Sequence, residues 1–420
     1  MNNRTQAARL LRLTAGTGGA LLAMWCALFP ARSHGLAENS LYAASEALLW
    51  KGGYWLTFAA AVFACLRIVV QRKLTIVIFW NVVVVSAVYE LLIIWMLAHP
   101  TALANVPSNL LAHLRRIDIN QRDIPLYLHE RFDPWVSYLY NAGEIRHRER
   151  EFDVTYFINS LGVRDDEQSL NAPEVVVLGD SHAFGWGVPQ HGTFAQLLES
   201  GLGTPVFNAG VGSYGTVREM RLLERIDTSR LKYLIVQYCS NDDPENRQFL
   251  LKDTIEISAP EVRAKVRSDY IRIQTYYPGK YSWLLIRKLL VEVYRAEAQF
   301  HSVLRPASAI RNENEQLLTD AVRAFIHAIY KAGSTPLEGI QIVVLDLHPF
   351  GNVRPEFARL VDEIKTDSLY PEQIQRIIAL RFADKLTTDD YFILDDHINA
   401  RGHELIAEEL AKVVRLPAAD

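Results

Sequence analysis

The pattern of apolar positions changes near residue 100, from long apolar runs to short runs separated by turns. Three apolar stretches, 13–30, 53–70 and 74–98, come first, and each approaches or exceeds the roughly 18–20 residues that cross a bilayer as a helix. The third is apolar all round rather than striped, which argues against a core helix. The pattern therefore predicts a membrane segment over residues 1–100 with three transmembrane helices.

Residues 101–154 contain several prolines with many charged and aromatic residues, which predicts a linker and an irregular cap. The run FDVTYFI at 152–158 then alternates apolar and polar positions as an edge strand does, and a turn at Gly162 ends it.

From residue 174 onward, short β-branched runs alternate with helical patterns. This alternation predicts an α/β fold with an open parallel sheet flanked by helices, joined by right-handed crossovers. The expected strands are 174–180, 204–210, 231–240, 339–347 and 391–394. The expected helices are 193–199, 216–226, 317–331, 371–385 and 400–414, with further helical insertions inside 260–335.

Four short blocks fall at the predicted ends of strands, where parallel sheets bind their ligands. In chain order they are VVVLGDSHAFGWG around Ser181, FNAGVGSYGT around Gly212 and Ser213, IVQYCSNDDPEN around Asn241, and ILDDHINARGHELIA around His397. A serine nucleophile, two oxyanion donors and a histidine base are the parts that an acyl-transfer site needs.

Each of the first three blocks also has a purely structural interpretation. Asp180 and Ser181 are good helix caps, although a serine at a helix N-terminus is also placed to stabilise a developing alkoxide. Glycines around Gly212 allow a close backbone approach and a free N–H, but such turns are common for steric reasons alone. Asn241 can form an Asx-turn instead of presenting its amide.

The last block is the most specific. Asp395 stands two residues before His397 and can accept its Nδ1–H, leaving Nε2 free to take the proton of a serine. The neighbouring Asp396 is an alternative acid. A second pair, Asp346 and His348, has the same spacing after a strand, and we interpret His348 as a wall residue of the site.

Metal chemistry is the competing interpretation, because several Asp and His residues could cluster at the strand ends: Asp180, His182, Asp242, Asp346, His348, Asp395 and His397. Paired histidines at helical spacing and paired cysteines, the usual signatures of a metal site, do not occur. We therefore expect neither a metal nor a cofactor.

Composition narrows the function further. With 44 Lys+Arg against 48 Asp+Glu, the mildly acidic balance gives no reason to expect binding of nucleic acid, which needs a clustered basic surface. Cys26, Cys65 and Cys239 do not make a disulfide framework.

The four blocks resemble those of the SGNH subgroup of the GDSL hydrolase superfamily, and the likeness covers residues 155–416. It implies a flavodoxin-like three-layer domain in which Ser181 is the nucleophile and His397 the base. It also implies Asp395 as the acid and the amide of Asn241 as an oxyanion donor. The segments INSLGVRD and Asp242–Asn246 are similar to flanking segments of bacterial members.

Two departures from that family leave assignments open. Many members have the acid three residues before the histidine, where this chain has Leu394, so Asp396 stays an alternative to Asp395. The family usually has Ser-Gly in the second block, where this chain has Gly212-Ser213. The backbone N–H of either residue, together with that of Ser181, could line the oxyanion hole.

Arg4, Arg9 and Arg12 before the first apolar stretch, and Arg72 and Lys73 before the third, predict that these ends face the cytoplasm. The chain would then be a multi-pass protein of the inner (cytoplasmic) membrane with its large domain on the extracytoplasmic side. The first stretch could instead be a cleaved signal peptide, which leaves that orientation unchanged.

The sequence therefore favours a membrane-anchored serine esterase that removes acyl groups from envelope glycans or lipids. An O-acyltransferase of cell-surface polysaccharide, using the same serine and a membrane acyl-donor partner, is the alternative. A catalytically silent binding module is a third hypothesis, against which the intact serine, asparagine and histidine argue.

Overall fold

The computed structural model describes residues 72–119, 125–274, 276–289, 307–350 and 354–416. The first two predicted transmembrane helices, 13–30 and 53–70, lie outside the described residues. The chain divides into two compact units, one from Met1–Trp95 and Ser268–Val293 and the other from Met96–Arg267 and Tyr294–Asp420.

Helix α1, Arg72–Ala98, corresponds to the third predicted membrane span. Its segment Ile76–Ala98 is long and apolar enough to cross a membrane. Many of its apolar side chains are exposed, including Val82, Val85 and Leu92. A core helix would bury such residues, so the exposure is consistent with a helix that contacts lipid.

The second unit contains nine strands among its described residues. They are β1 Glu130–Asp133, β2 Ser137–Tyr140, β3 Gly143–Arg148, β4 Asp153–Ile158, β5 Val175–Leu178, β6 Val206–Asn208, β7 Tyr233–Tyr238, β8 Gln341–Asp346 and β9 Ile378–Leu380.

The remaining helices with described bounds follow α1 in chain order. They are α2 Ser108–Asp118, α3 Ser181–Phe184, α4 Phe194–Leu202, α5 Thr216–Leu223, α6 Asp243–Lys252, α7 Pro260–Gln274, α8 Ala307–Lys331, α9 Phe357–Ile364, α10 Glu372–Gln375 and α11 Ala400–Val413.

Strands β5 to β9 form one parallel sheet in the order β6-β5-β7-β8-β9. Numbered along the chain, this is the order 2-1-3-4-5 of flavodoxin-like sheets. The predicted α/β fold class is confirmed. The chain leaves β5 toward β6 on one side and continues through β7 on the other, so the end of β5 is the point where the strand order reverses.

Alternation along the buried strands gives the sheet a hydrophobic core on each face. In β5, Val176 and Leu178 contribute to one core, whereas Val175 and Val177 contribute to the other. Both cores are covered by helices, which explains why β5 is apolar at every position.

Two antiparallel hairpins, β1–β2 and β3–β4, precede the sheet. The alternating segment predicted as an edge strand is β4, paired with β3 rather than with the large sheet. Tyr138, Tyr140 and Tyr156 from these hairpins are buried in the core that covers one face of the sheet. The hairpins are therefore built into the domain that carries the four blocks.

Two predicted elements near the C-terminus are wrong. The expected helix over 371–385 is only the single turn α10, after which Ile378–Leu380 pairs with β8 as the last strand. The expected strand at 391–394 is reduced to one bridge between Tyr391 and Ile398. Pairing with the exposed edge of β8 satisfies the backbone of 378–380, and this overrides the helical pattern of the local sequence.

Candidate active site

Ser181 is the first residue of α3 and follows β5 through Gly179 and Asp180. A side chain at Gly179 would meet the Oε1 atom of Gln237 at 2.5 Å, so the turn requires glycine there. The same Oε1 accepts the backbone N–H of Asp180 at 3.0 Å. The Asp180 carboxylate caps α3 by accepting the N–H of His182 at 2.9 Å.

His397 is hydrogen bonded to both of the residues with which it was predicted to act. Its Nε2 lies 2.8 Å from the Oγ of Ser181, and its Nδ1 lies 2.6 Å from Oδ1 of Asp395. The same Oδ1 accepts the backbone N–H of His397 at 2.9 Å. With an Nδ1–H donated to Asp395, Nε2 is left to accept the serine proton, which is the arrangement of a serine–histidine–acid triad.

Asp396 is the less favourable acid by geometry. Its Oδ1 lies 3.9 Å from Nδ1 of His397, beyond hydrogen-bonding distance, and its side chain is 28% exposed against 5% for Asp395.

The residues of the metal hypothesis do not converge as a set within the described parts of the chain. The group close enough to share an ion is Asp395, Asp396 and His397. Both ring nitrogens of His397 already take part in hydrogen bonds, to Asp395 and Ser181, so neither offers a free lone pair to a metal.

Glu151, in the turn between β3 and β4, holds the loop that carries Asp395. Its carboxylate accepts the backbone N–H groups of Ile393, Leu394 and Asp395 at 2.6, 2.8 and 2.8 Å. Burial raises the pKa of Glu151, while these three donors favour its ionised form. No sequence pattern predicts this role, because Glu151 and Asp395 are 244 residues apart.

Trp186 and His182 complete the surroundings of His397. The indole Nε1–H of Trp186 donates to Oδ2 of Asp395 at 3.0 Å, and its ring stacks on that of His397. His182 is buried, which lowers its pKa to about 4. Being neutral at physiological pH, His182 does not repel the positive charge that His397 would gain on taking a proton. Both residues lie in the first block, but the sequence suggested no role for Trp186.

The second block packs directly against the Ser181 turn. Val211 donates its N–H to the carbonyl of Gly179 at 3.0 Å, and the Asn208 side chain donates to the carbonyl of Ala183 at 3.0 Å. A side chain at Gly210 would meet the backbone nitrogen of Phe184 at 2.4 Å. Glycine is therefore required at 210 for the two loops to approach each other.

Gly212 and Ser213 differ in how their backbones are used. Tyr138 donates its hydroxyl to the carbonyl of Gly212 at 2.5 Å, and the hydroxyl of Tyr140 takes a backbone hydrogen bond from Gly212. Ser213 has φ +62°, an uncommon conformation for a residue with a side chain. Ser213 lies in an exposed turn, where its carbonyl accepts a hydrogen bond from Arg218 at 2.7 Å.

Asn241 lies in the turn that follows β7, the strand that pairs with β5 on the side opposite β6. It is exposed, so its amide is accessible from solvent. Like Ser181, it follows the carboxyl end of a strand of the parallel sheet. The next residue, Asp242, is fully buried and holds this turn by accepting the Thr216 hydroxyl at 3.1 Å. Asp242 therefore helps to fix the turn that carries Asn241.

A buried acidic group lies under these loops. Burial and the neighbouring carboxylates raise the pKa values of Glu219 and Asp242 well above their ordinary range, with Asp180 contributing to both. The surroundings therefore disfavour two adjacent charges beneath the Ser181 turn.

The lead-in segment INSLGVRD braces the same turn. Arg164, which is fully buried, donates to the carbonyls of Phe184, Gly185 and Val188 at 2.8, 2.6 and 2.7 Å, so it satisfies the end of α3. Asp165 accepts the N–H of Asn208 at 2.6 Å and thereby fixes the start of the second block. Desolvation lowers the pKa of Arg164 to about 10 and raises that of Asp165 to about 7.

His348 is buried, and the contacts of its two ring nitrogens differ from those of His397. Its Nδ1 accepts the backbone N–H of Ser240 at 3.4 Å, and its Nε2 lies 3.7 Å from Oδ2 of Asp346. Burial lowers the pKa of His348 to about 3 and raises that of Asp346 to about 8. Both members of this pair are therefore mostly neutral at pH 7.

No protein-family model and no curated protein matches the chain. Solved structures that are similar include a G-D-S-L family lipolytic protein from Desulfitobacterium hafniense DCB-2, with 14% identity over 57% of this chain and 98% of that one, at a TM-score of 0.28. An acetyl xylan esterase from Butyrivibrio proteoclasticus has 12% identity over 57% of this chain and 63% of that one, at a TM-score of 0.30.

A lipase from goat rumen metagenome has 16% identity over 58% of this chain and 99% of its own length, at a TM-score of 0.30. Likenesses this distant say nothing about substrate or reaction.

Proposed function

We propose that this chain is a membrane-anchored, extracytoplasmic serine esterase that removes acyl groups from envelope glycans or lipids through an acyl-enzyme. The observation that carries the proposal is the hydrogen-bonded series Ser181–His397–Asp395, with contacts of 2.8 and 2.6 Å. A serine hydroxyl is a weak nucleophile until an adjacent base removes its proton, and these contacts supply that base and its orientation.

In the first step, Ser181 Oγ attacks the ester carbonyl while Nε2 of His397 takes the hydroxyl proton. Asp395 keeps the imidazole in the tautomer with hydrogen on Nδ1 and stabilises the imidazolium that forms. Neutral His182 beside the ring adds no opposing charge. His397 then donates the proton to the departing alcohol, which leaves an acyl group on Ser181.

The oxyanion formed in this step needs hydrogen-bond donors aimed at it. We assign the backbone N–H groups of Ser181 and Ser213, with Gly212 as the alternative to Ser213, and the side-chain amide of Asn241. All belong to loops at neighbouring strand ends, and the loops of Ser181 and Ser213 are tied together by hydrogen bonds. Removing one such donor typically reduces kcat by about 10²–10³-fold.

Water, activated by His397, would hydrolyse the acyl-enzyme in the second step. If a sugar hydroxyl enters instead, the same site becomes an O-acyltransferase, and it then requires an acyl donor supplied at the membrane. The exposed position of Asn241 is compatible with a bulky acceptor.

The membrane part of the proposal rests on α1. Arg72 and Lys73 begin this helix, and the segment Ile76–Ala98 can cross a bilayer. Basic residues at that end favour a cytoplasmic start, so the chain after Ala98 would emerge outside the cytoplasm. An esterase tethered in this way meets substrates of the cell envelope.

The direct test is hydrolysis of p-nitrophenyl acetate by the full chain purified in detergent. Ser181→Ala should lose essentially all turnover, whereas Asp396→Asn, a change beside the triad, should keep most of it. Equal turnover by wild type and Ser181→Ala would refute the esterase. An excess of EDTA should leave the rate unchanged.

A second measurement separates hydrolysis from transfer. Product analysis with an added oligosaccharide acceptor should give free acetate as the main product if the chain is an esterase. Acylated oligosaccharide as the main product would favour the transferase. Protease added to intact spheroplasts should digest the large domain, and digestion only after lysis would refute the proposed orientation.

A further inference from the structure

Glu90 is the acidic residue inside the apolar span of α1, and it is fully buried although few residues of that span are. Its carboxylate accepts the backbone N–H of Ser282 at 2.6 Å and the hydroxyl of Tyr276 at 3.0 Å. It also takes a backbone hydrogen bond from Tyr281. Glu90 and these three partners belong to the same compact unit.

The position of Glu90 along α1 fixes how deep these contacts lie. It precedes Ala98, the end of the apolar span, by eight residues, which at a rise of about 1.5 Å per residue places it about 12 Å inside that end. If α1 crosses the bilayer, this depth is within the hydrocarbon core, which is about 30 Å thick. The residues that contact Glu90 must then enter the membrane as well.

The hydrogen bonds to Glu90 explain how a second segment can enter the membrane. Residues 280–289 are helical, so the N–H groups of Tyr281 and Ser282 belong to the first turn, which has no partners within its own helix. In hydrocarbon such groups need a partner from the protein. The Glu90 carboxylate fills this need by capping the start of this helix.

The outer surface of the same segment also suits lipid. Trp283, Ile286 and Leu289, spaced by three residues and thus on one side of the helix, are 41%, 38% and 51% exposed. Arg287 and Lys288 have side chains long enough to reach the headgroups.

We infer that residues 276–289 form a second membrane-embedded element, held by Glu90 in the outer half of the bilayer. Lipid covers the surface of Trp283, Ile286 and Leu289. The inference rests on the proposed crossing of the membrane by α1. The surface belongs to the same unit as the exposed apolar residues of that helix and is tied to it through Glu90, which is why lipid rather than a protein partner is the assigned occupant.

The test uses the full chain in liposomes, with a bimane fluorophore on single cysteines. Cys26 and Cys65 are replaced by Ser, and the buried Cys239 is kept. Leu289→Cys reports on the new element, Val85→Cys on α1, and Leu369→Cys, at a site 81% exposed in the other unit, on water. Nitroxide-labelled lipids should quench bimane at 289 and 85 several-fold more than at 369, and aqueous iodide should do the reverse.

Each other outcome refutes a distinct part of the inference. Lipid quenching at 85 without quenching at 289 refutes the embedded element and leaves the anchor intact. No lipid quenching at either position refutes both the anchor and the element. Protection at 289 from lipid nitroxide and iodide together means that protein covers the surface, which also refutes the inference. Esterase turnover, measured on the same liposomes, is independent of all three results.

Glu90 itself gives a matched pair of variants. Glu90→Gln keeps an acceptor for the N–H of Ser282, so bimane at 289 should stay quenched by lipid. Glu90→Leu is more apolar yet leaves that N–H without a partner, so lipid quenching at 289 should fall several-fold while quenching at 85 is kept. Equal quenching at 289 in both variants would contradict the capping role.

Discussion

The chain contains two Asp-x-His sequences, Asp395 to His397 and Asp346 to His348, and the structure uses them in opposite ways. The ring of His397 donates from Nδ1 to its aspartate and presents Nε2 to Ser181. The ring of His348 accepts at Nδ1 from a backbone N–H and has Nε2 facing its aspartate. The same spacing therefore gives opposite tautomers.

The hydrogen bonds and the burial around the two Asp–His pairs also differ. Asp395 receives the Trp186 indole, and its loop is held by Glu151, so its charge is supported by donors from distant parts of the chain. Asp346 and His348 are both buried at 4% exposure, and desolvation keeps both mostly neutral although Asp346 takes a backbone hydrogen bond from Phe382. The two pairs share a sequence motif, and they differ in the contacts that the rest of the fold gives them.

The largest difference between the two pairs is expected when each histidine is replaced by asparagine. His397→Asn should reduce kcat on p-nitrophenyl acetate by about 10⁴-fold or more, since loss of the base removes the whole triad function. His348→Asn keeps an acceptor near the position of Nδ1 and should keep kcat within about threefold, well under the effect of losing a catalytic group. Reversed effects, with both variants folded by circular dichroism, would make His348 the base.

The two adjacent acids give the next largest effect. Asp395→Asn should lower kcat by about 10³–10⁴-fold because the amide cannot favour the required tautomer of His397. Asp396→Asn should leave kcat nearly unchanged, since its carboxylate is 3.9 Å from Nδ1. A larger loss in Asp396→Asn than in Asp395→Asn would overturn the assignment of the acid.

The donors around Asp395 should have smaller effects. Trp186→Phe keeps the ring that stacks on His397 but removes the N–H given to Asp395, so kcat should fall about 10- to 100-fold, as expected for one hydrogen bond to a charged group. KM should change little. Glu151→Ala should act in the same direction, and Glu151→Gln should recover part of the loss. A rise in KM alone would show that these residues contact substrate instead.

The pair Asp346 and His348 leads to a prediction about stability rather than about rate. Burial raises the pKa of Asp346 to about 8, against 3.8 for the ordinary group, so folding retains a proton that the unfolded chain releases. This contribution is present below about pH 4 and is lost as pH rises through 8. Asp346→Asn cannot titrate, so its Tm relative to wild type should be higher at pH 9 than at pH 5.

That comparison uses thermal unfolding of the full chain in detergent. A Tm difference that stays constant between pH 5 and pH 9 would contradict the raised pKa. Asp367→Asn, a change at an exposed acid, serves as the control and should show no dependence on pH.

Much of the fold could be read from the sequence because it depends on local patterns. The apolar runs of β5, β7 and β8 and the helices α4 and α5 lie where the periodicity placed them, whereas α6 was not predicted. The error at 371–385 has a different origin. Its helical pattern is local, but strand β9 exists because the edge of β8 is available for pairing, and the sequence of 371–385 does not contain that information.

The candidate site divides in the same way. Ser181, Asp395 and His397 lie in recognisable blocks, and the structure brings them into contact. Glu151 and Trp186 act on Asp395 across 244 and 209 residues of chain, so no spacing rule could find them. Gly212, Ser213 and Asn241 lie at the expected edge of the sheet, and their roles as oxyanion donors remain predictions.

The most direct test of the account is covalent labelling of the full chain with a fluorophosphonate, followed by peptide mapping. Such reagents react with serines that a neighbouring base activates, so we predict one adduct, on the peptide that contains Ser181. It should be absent in Ser181→Ala, nearly absent in His397→Asn and undiminished in His348→Asn. An adduct that persists in Ser181→Ala, or that is lost in His348→Asn but kept in His397→Asn, would contradict the account.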